Sequence, residues 1–349
     1  MSQANRWIDR TLTVELCGSE VISVGDPEIV LDPWSPVPVL PGYNVSAVAF
    51  THDSHKLHCA IKLSEPDAPS GSYPDYIDLI VDLATFVVTP KPARMGYGAF
   101  TGTAIVFSLD GRYAAIATSG HATNRIVMYD LIHPDTPHTV VLSDNGMHPV
   151  YHMEFVSNDV FAYSQQNRHG PRFVSVGDWE HIPPTTEHFG YPHNLRDFSI
   201  SPNGQFLAVV QPGGINPPCR VHDMNTGSMI FQVAFNGLGI GVKFSPDGQY
   251  LAIAWRLLDA PVQLLVLRTS DWSQVTAQGI PTGNVFNNMV FSPDSRYLAA
   301  QCGSLVIYDT SSWTVARTIP ILSAPLRGHV KFSRDSKFLA NRQFVMAVD

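Results

Sequence analysis

Three histidines lie three residues apart near the start of the chain, at His52, His55 and His58. Imidazoles bind zinc and other transition metals, so this run could form a metal site if the three rings faced one point. The internal repeats described below place His52 and His55 in a hairpin and His58 in the following strand. Because successive residues of a strand point to opposite faces, we expect the rings to diverge, and we predict no metal site and no cofactor.

The remaining histidines of the first 200 residues form a looser group in segments without a clear strand pattern. We expect most of them to be solvated or hydrogen-bonded loop residues, with a pH-responsive surface as the alternative. The group consists of His121, His133, His138, His148, His152, His169, His181, His188 and His193.

Motifs of the common enzyme classes are missing from the sequence. There is no Gly-x-Ser-x-Gly nucleophile elbow and no His-Glu-x-x-His zinc motif. The four cysteines, Cys17, Cys59, Cys219 and Cys302, are far apart and include no Cys-x-x-Cys pair, so we expect isolated small hydrophobic residues rather than disulfides or ligands. We therefore predict that the protein is not an enzyme.

Charge and hydropathy narrow the classes of partner. The formal net charge is −8 and no stretch is rich in lysine and arginine, which argues against nucleic acid and against a polybasic membrane contact. The polar first nine residues do not resemble a signal peptide, and apolar runs such as residues 264–267 are far too short to span a bilayer. We expect a cytoplasmic protein whose partners are proteins.

An internal repeat organises nearly all of the sequence. An apolar residue, a polar residue and a large apolar anchor precede a turn such as Ser-Pro-Asp-Gly at residues 245–248, after which Tyr-Leu-Ala begins a second strand. Proline, aspartate and glycine suit this tight hairpin. The spacing of the anchors runs from 41 (332 minus 291) to 57 residues (107 minus 50), which is typical of four-stranded propeller blades. The seven anchors are Phe50, Phe107, Phe155, Ile200, Phe244, Phe291 and Phe332.

The third strand of each repeat carries a family resemblance. Five of these strands are expected to end in aspartate, at Asp82, Asp130, Asp178, Asp223 and Asp309. These aspartates and the repeats together give residues 45–349 a resemblance to the WD-repeat propellers, whose third strands end in Trp-Asp. The chain departs from that family because no Trp-Asp dipeptide ends a third strand, and the Gly-His before the first strand occurs only at Gly328-His329. The resemblance implies an all-β, seven-bladed β-propeller of four-stranded antiparallel blades.

The last repeat stops at Asp349, where other third strands end, so it lacks a fourth strand. Because a propeller avoids exposed edges by closing its ring, a strand from the N-terminal segment must complete that blade. Residues 28–40 are our choice, since Leu40-Pro41 precedes the first anchor much as Ile280-Pro281 precedes Phe291. We therefore predict an N-terminal extension at residues 1–27 and a propeller at residues 28–349.

Long loops between the second and third strands of blades one to five lie on one face of the predicted ring, whereas blades six and seven have almost none. Loops carry function more often than the scaffold beneath them does, and tyrosine and tryptophan dominate interaction hot spots. We therefore select Tyr73, Tyr76 and Trp255 as candidate partner-binding residues. Covering the blade edges is the alternative role for these side chains.

The function that the sequence favours is a rigid scaffold for protein–protein interaction within a multi-protein assembly. One version is a structural protein of a bacteriophage particle, located in the virion, because residues 269–273 and 310–313 resemble turns of phage-encoded virion propellers. A lactonase-like propeller enzyme is a further alternative. It is disfavoured because such repeats usually read His-Pro-x-Gly, where this chain has Ser-Pro-Asp-Gly. The partner, the oligomeric state and the host are left open.

Overall fold

A computed structural model describes the chain over sixteen segments. They are residues 33–40, 45–51, 53–62, 76–95, 105–108, 110–118, 125–132, 138–140, 150–165, 170–182, 195–211, 219–234, 237–257, 259–275, 286–320 and 330–348. These residues form seven antiparallel sheets of four strands each. Within them there is no helix of the length and apolar character needed to cross a membrane. The predicted extension at residues 1–27 lies outside these segments.

Each sheet is one blade, built from strands consecutive in the chain except for the last blade. Blade 1 comprises β2 (Val45–Phe50), β3 (Lys56–Lys62), β4 (Tyr76–Asp82) and β5 (Val88–Met95); blade 2 comprises β6 (Ile105–Phe107), β7 (Tyr113–Thr118), β8 (Arg125–Asp130) and β9 (His138–Val140); blade 3 comprises β10 (Val150–Phe155), β11 (Val160–Gln165), β12 (Arg172–Ser175) and β13 (His181–Ile182); blade 4 comprises β14 (Asp197–Ile200), β15 (Phe206–Val210), β16 (Cys219–Asp223) and β17 (Met229–Gln232). Blade 5 comprises β18 (Leu238–Phe244), β19 (Tyr250–Arg256), β20 (Gln263–Arg268) and β21 (Gln274–Val275); blade 6 comprises β22 (Phe286–Phe291), β23 (Tyr297–Cys302), β24 (Ser304–Asp309) and β25 (Thr314–Pro320); blade 7 comprises β26 (Lys331–Phe332), β27 (Phe338–Ala340), β28 (Phe344–Ala347) and the N-terminal β1 (Val37–Pro38).

The blades form a closed ring around an axial channel. The first strand of each blade contacts the first strand of the next, in order from blade 1 to blade 7, and β26 of blade 7 contacts β2 of blade 1. The seven first strands therefore surround the axis. The predicted seven-bladed, four-stranded antiparallel propeller is confirmed.

Apolar side chains cover both faces of the central strands in each blade. Every residue of β23 is buried, and the small side chains of Ala299 and Ala300 lie within it at 0% and 1% exposure. Alternate residues face opposite sides of a sheet, so a strand buried throughout must be covered by a neighbouring blade on each side. The core consequently lies between the blades.

The hairpin between the first and second strands is held by a repeated set of hydrogen bonds. In blade 5, the Ser245 hydroxyl donates to Asp247 Oδ1 over 2.5 Å and accepts from the Tyr250 amide over 2.9 Å. Asp247 Oδ1 also accepts from the amide of Gln249 over 3.0 Å. Blade 1 makes the same bonds from Thr51 in place of the serine, although its sequence is degenerate. The turn chemistry is therefore maintained beyond the recognisable Ser-Pro-Asp-Gly motif.

Three of these hairpins carry serine where others carry glycine, at a backbone position with positive φ. Ser54, Ser295 and Ser336 have φ of 62°, which is costly for a residue with a Cβ. Each hydroxyl accepts a hydrogen bond from an amide of the preceding blade: Ser295 from Asp247 over 2.9 Å, Ser336 from Asp294 over 3.1 Å and Ser54 from Asp335 over 3.2 Å. These three bonds link blades 5 to 6, 6 to 7 and 7 to 1. Gly111, Gly204 and Gly248 occupy the equivalent position in blades 2, 4 and 5 and offer no hydroxyl.

A second repeated turn joins the third strand to the fourth and places an aromatic ring against the preceding blade. Trp313 has φ of 53°, and its amide donates to the Asp309 carbonyl over 2.7 Å. Its ring meets Tyr250 of blade 5 edge-on at 5.0 Å. Trp272 contacts Phe206 of blade 4 in the same way, at 5.8 Å. Residues 269–273 and 310–313 thus pack one blade on another.

The N-terminal segment reproduces this turn for blade 7. Trp34 has φ of 60°, and its ring lies edge-on to Tyr297 of blade 6 at 5.5 Å. It takes the place of the turn after β28, although it comes from the other end of the sequence. Its amide donates to the Ala347 carbonyl over 2.9 Å, and β1 then pairs antiparallel with β28. The fourth strand of blade 7 therefore comes from within the predicted segment 28–40, but it is only two residues long.

The aspartates at the ends of third strands cap the turn that follows. Asp223 Oδ1 accepts from the amides of Asn225 and Thr226 over 2.9 and 2.8 Å, and Asp309 Oδ1 accepts from the amide of Ser311 over 2.8 Å. The placement of Asp178 at a strand end is wrong. The strand β12 ends at Ser175, because Asp178 lies inside the turn and accepts the Ser175 hydroxyl.

We expect deletion of residues 1–40 to destabilise the propeller by on the order of 5 kcal/mol or to cause aggregation. The deletion removes the Trp34 contact and the buried Val39 and Leu40, which are 4% and 6% exposed, and leaves the edge of β28 unpaired. Thermal unfolding and size-exclusion chromatography measure the effect. Deletion of residues 1–27 is the control and should leave the melting temperature unchanged. A soluble 1–40 deletion with an unchanged melting temperature contradicts closure by β1.

Candidate functional site

The candidate partner-binding residues chosen from the sequence lie at different places in the fold. Tyr73 is outside the described residues. Tyr76 is the first residue of the strand β4 and pairs with Lys62 of β3 and Met95 of β5, so its assignment to a loop is wrong. Trp255 lies in the strand β19, paired with Gly239 and Gln263, so its loop assignment is also wrong. The strands extend one or two residues further than their apolar patterns indicate. Whether these residues bind a partner remains a prediction.

Trp255 is half-buried and packs against the apolar core shared by blades 4 and 5. Its ring lies on the backbone of Gly237, where an added Cβ would stand 2.8 Å from the ring atom Cε3. A side chain at Gly237 would therefore displace the indole. Because the ring is packed in this way, Trp255→Ala would lower stability as well as any binding, and it is a poor single test of partner recognition.

The two faces of the ring differ in the regularity of their connections. On one face, the first-to-second-strand hairpins have nearly constant length: 51–55, 108–112, 156–159, 201–205, 245–249, 292–296 and 333–337. On the other face, the second-to-third-strand connections vary from one residue in blade 6 to residues 63–75 in blade 1: 63–75, 119–124, 166–171, 211–218, 257–262, 303 and 341–343. We call these the hairpin face and the loop face. The predicted contrast in loop length between blades is confirmed.

An exposed leucine marks the loop face within the described residues. Leu257 follows the strand β19 directly and is 50% exposed. Other exposed large apolar side chains lie elsewhere on the blades, including Met229 and Val315 on fourth strands, at 49% and 39% exposure. Single exposed apolar residues are common on protein surfaces. Leu257 is therefore a test position for the loop face rather than a site by itself.

The histidine run at the start of the chain does not come together as a ligand set in the described residues. His55 is exposed in the hairpin of blade 1, whereas His58 is buried in β3 and stacks on Phe107 of blade 2 at 5.5 Å. His52 lies outside the described residues. No group of three or more His, Cys, Asp or Glu side chains suited to a metal ion occurs in the described segments. Cys59, Cys219 and Cys302 are buried and form no disulfide within the described segments.

A cluster of charged side chains that was not predicted from the sequence faces the axial channel. Lys243 Nζ lies 2.7 Å from Glu154 Oε2 and 3.8 Å from Asp197 Oδ1. His152 lies between the same two carboxylates, with Nδ1 3.1 Å from Asp197 Oδ1 and Nε2 3.2 Å from Glu154 Oε2. These four residues, the channel cluster, join the first strands of blades 3, 4 and 5.

The backbone of blade 5 completes the cluster. Asp197 Oδ2 accepts from the amide of Val242 over 3.0 Å. The neighbouring Gly241 makes room for Phe286 of blade 6, because an added Cβ there would stand 2.7 Å from a ring atom of Phe286. Pairing between the first and second strands also shifts register just before Gly241. Such a bulge redirects neighbouring side chains, and this one lies two residues before Lys243 of the channel cluster.

A sequence signal for the channel cluster did exist. Glu154 and Lys243 each lie one residue before an anchor, and His152 and Asp197 each lie three residues before one. Both positions share the side of the first strand that is nearest the axis. Ala49 and Val106 occupy the first of these positions in blades 1 and 2, so those two blades carry no charge there.

The arrangement does not supply an obvious nucleophile or base. Both ring nitrogens of His152 lie within 3.2 Å of a carboxylate oxygen, so the ring is engaged on both sides within the cluster. Lys243 Nζ is likewise held by Glu154 and by the Phe198 carbonyl at 3.4 Å. The contacts of the channel cluster are therefore mutual, as in a structural ion-pair network.

Electrostatic coupling within the cluster stabilises its charged forms. Burial would raise the pKa of Glu154, but the Lys243 ammonium and the His152 ring outweigh it and hold the pKa well below its usual range. Burial lowers the pKa of Lys243, but Asp197 and Glu154 more than offset this effect, so its pKa is raised. Both side chains are therefore ionised at neutral pH.

Comparison with known proteins places the fold without assigning a function. No protein-family model and no curated protein matches the chain. Among solved structures, a chain of Kuenenia stuttgartiensis hydrazine synthase matches with a TM-score of 0.61 and 15% identity, over 88% of this chain and 96% of that chain. The Myceliophteria thermophila Cps50 (Swd1) β-propeller domain matches with a TM-score of 0.59 and 15% identity, over 92% and 100%. At such low identity, the similarity shows the fold alone.

We expect Glu154→Gln to destabilise the protein by about 1–3 kcal/mol at pH 7, because it removes one of the two carboxylates that Lys243 and His152 contact in a restricted channel. The Glu154 side chain is 35% exposed, so water screens part of the interaction and the cost stays below that of a fully buried pair. Urea unfolding measures it. Glu180→Gln, at an exposed turn of blade 3, is the matched control.

The same variant should show a defined pH dependence. Because folding lowers the Glu154 pKa, the carboxylate stabilises the folded state above its ordinary pKa of 4.5, and this contribution disappears as the pH falls below that value. The stability difference between wild type and Glu154→Gln should therefore be constant from pH 7 to about pH 5 and shrink at lower pH. A difference independent of pH down to pH 3 contradicts the ion-pair assignment.

Proposed function

We propose that this protein is a non-catalytic β-propeller scaffold that binds protein partners through its loop face. The observation that carries the proposal is the contrast between the two faces. The hairpin face repeats one turn with nearly constant length, whereas the loop-face connections range from one to thirteen residues (76 minus 62 minus 1). Ring stability requires the repeated hairpins and does not require such variation. Variable loops on a rigid frame are the usual place of recognition.

The chemistry of the axial channel supports a binding role over a catalytic one. The ring nitrogens of His152 are engaged by carboxylates, and Lys243 is engaged by Glu154. The acidic net charge of −8 favours protein partners over nucleic acid or anionic lipid. A cytoplasmic location is part of the proposal. A lactone-hydrolysis assay on the purified protein tests the enzymatic alternative, and turnover above background would support it.

The virion alternative receives no support from the turns that suggested it. Trp272 and Trp313 pack on aromatic residues of the preceding blade, and Trp34 does the same in the segment that closes the ring. A turn that performs this packing role would be expected in any propeller with the same interface between blades. Detection of the protein in purified phage particles would still establish the virion version.

The test uses the full-length protein as bait in a cell lysate, with mass spectrometry to identify partners and affinity measurement against the purified partner. Tyr73→Ala, Tyr76→Ala and Leu257→Ala should each weaken binding by about 1–3 kcal/mol if they contact the partner. We expect Leu257→Ala to leave the melting temperature within about 1 °C, since the side chain is half exposed.

Val315→Ala is the matched control, because Val315 is also exposed but lies on the fourth strand of blade 6. It should leave affinity unchanged. Trp255→Ala should weaken binding and also lower the melting temperature, because its ring packs on Gly237. Retained affinity in the Tyr73, Tyr76 and Leu257 variants, together with loss of affinity on altering the 245–249 or 292–296 hairpins, would assign the partner to the hairpin face instead.

A further inference from the structure

A lysine on the first strand of blade 7 projects toward the axis. Lys331 lies one residue before the anchor Phe332, as Glu154 and Lys243 lie one residue before theirs, so the three side chains occupy the same level of the ring. Lys331 is only partly exposed. Its ammonium group makes no hydrogen bond and no ion pair with the described part of the chain, in contrast to Lys243, which makes both.

The surroundings of Lys331 make an unpaired cation costly. Burial lowers the pKa of Lys331; the carboxylate of Glu154 opposes this shift, and the nearby positive charge of Lys243 adds to it. Glu154 is not its direct partner: that carboxylate contacts Lys243 and His152, both through Oε2, and forms no ion pair with Lys331 in the described part of the chain. Two lysines and two carboxylates face this part of the channel, and Lys331 is the one of the four without an ion pair in the described part of the chain.

We propose that the axial channel binds a small oxyanion, a phosphate or a carboxylate, at Lys331. A negatively charged oxygen beside the ammonium would pair its charge and supply a hydrogen-bond acceptor. Asn288 of blade 6 lies beside this position, with its side-chain amide donating to the Val330 carbonyl over 3.3 Å. The second hydrogen of that amide is available for the same anion.

The position of Lys331 places this site toward the hairpin face. It belongs to a first strand and lies one residue before the strand ends, where the 333–337 hairpin begins. The proposed anion site and the loop face are therefore at opposite ends of the channel. Anion binding and partner binding can be tested separately, and failure of one does not decide the other.

The test compares thermal unfolding of the full-length protein in sodium phosphate, sodium acetate and sodium chloride at equal ionic strength and pH 7. A ligand present at roughly 100 times its dissociation constant should raise the melting temperature by about 3 °C over the chloride value. A rise in phosphate alone identifies a phosphate site, a rise in acetate alone identifies a carboxylate site, and a rise in both identifies a general oxyanion site. Equal melting temperatures in all three salts overturn the proposal.

Lys331→Met supplies the second measurement. It should abolish the rise in phosphate or acetate. It should also melt at or above the wild-type temperature in chloride, because it removes a charge that is desolvated and repelled by Lys243. Lys337→Met is the matched control at an exposed lysine of the next hairpin and should keep the full anion response. Lys331→Arg keeps the cation and should also keep the response.

Two results with the variants would overturn the proposal even if the wild type responds to anions. One is an unchanged anion response in Lys331→Met, which would assign the effect to other cations on the surface. The other is a melting temperature of Lys331→Met in chloride that is several degrees below wild type, which would show that Lys331 has a stabilising partner within the chain. If Lys331→Met does not fold, loss of the response in Lys331→Arg contradicts the proposal.

Discussion

Each blade of this protein is apolar on both faces, and every other feature of the fold follows from the need to cover both. A strand such as β23, buried at all of its residues, cannot lie at the edge of a stack of sheets without exposing one side to water. A ring is the arrangement in which every blade has two neighbours. The contact of β2 with β26 is therefore as necessary as any contact within a blade. It also makes residues 33–40 part of the core, because Trp34, Val39 and Leu40 complete the last blade.

Packing between blades accounts for residues that a local interpretation would assign to function. The turns before the fourth strands hold a tryptophan at positive φ, a strained conformation for a large residue. In this conformation the indole packs on an aromatic residue of the preceding blade. His58 is another case, since it stacks on Phe107 of the next blade instead of joining the neighbouring histidines. In both, the partner lies tens of residues away in the sequence.

This distance explains which features the sequence could predict. The anchors, the hairpins and the closing segment around Val37 and Pro38 follow from periodicity within a repeat and from the need to pair the last edge. The channel cluster does not, because Lys243 and Glu154 are 89 residues apart and meet only after three blades have packed around the axis. Strand ends were also misjudged: hydrogen-bonded pairing continues to Tyr76 and Trp255 beyond the apolar run, and Asp178 falls in a turn because β12 ends early.

The serine hydroxyls at positive φ give the ring an uneven resistance to opening. They join blades 5, 6, 7 and 1 in succession, and the charges of the channel cluster join blades 3, 4 and 5. Blade 7, in which β1 pairs with β28, thus lies inside a continuous girdle of polar contacts between blades. Blade 2 has Gly111 at the hairpin position and Val106 at the axial position, neither of which can extend that girdle. We therefore expect transient separation of the blades, and with it exchange of amide hydrogens with solvent, to be easiest beside blade 2, away from the pairing of β1 with β28.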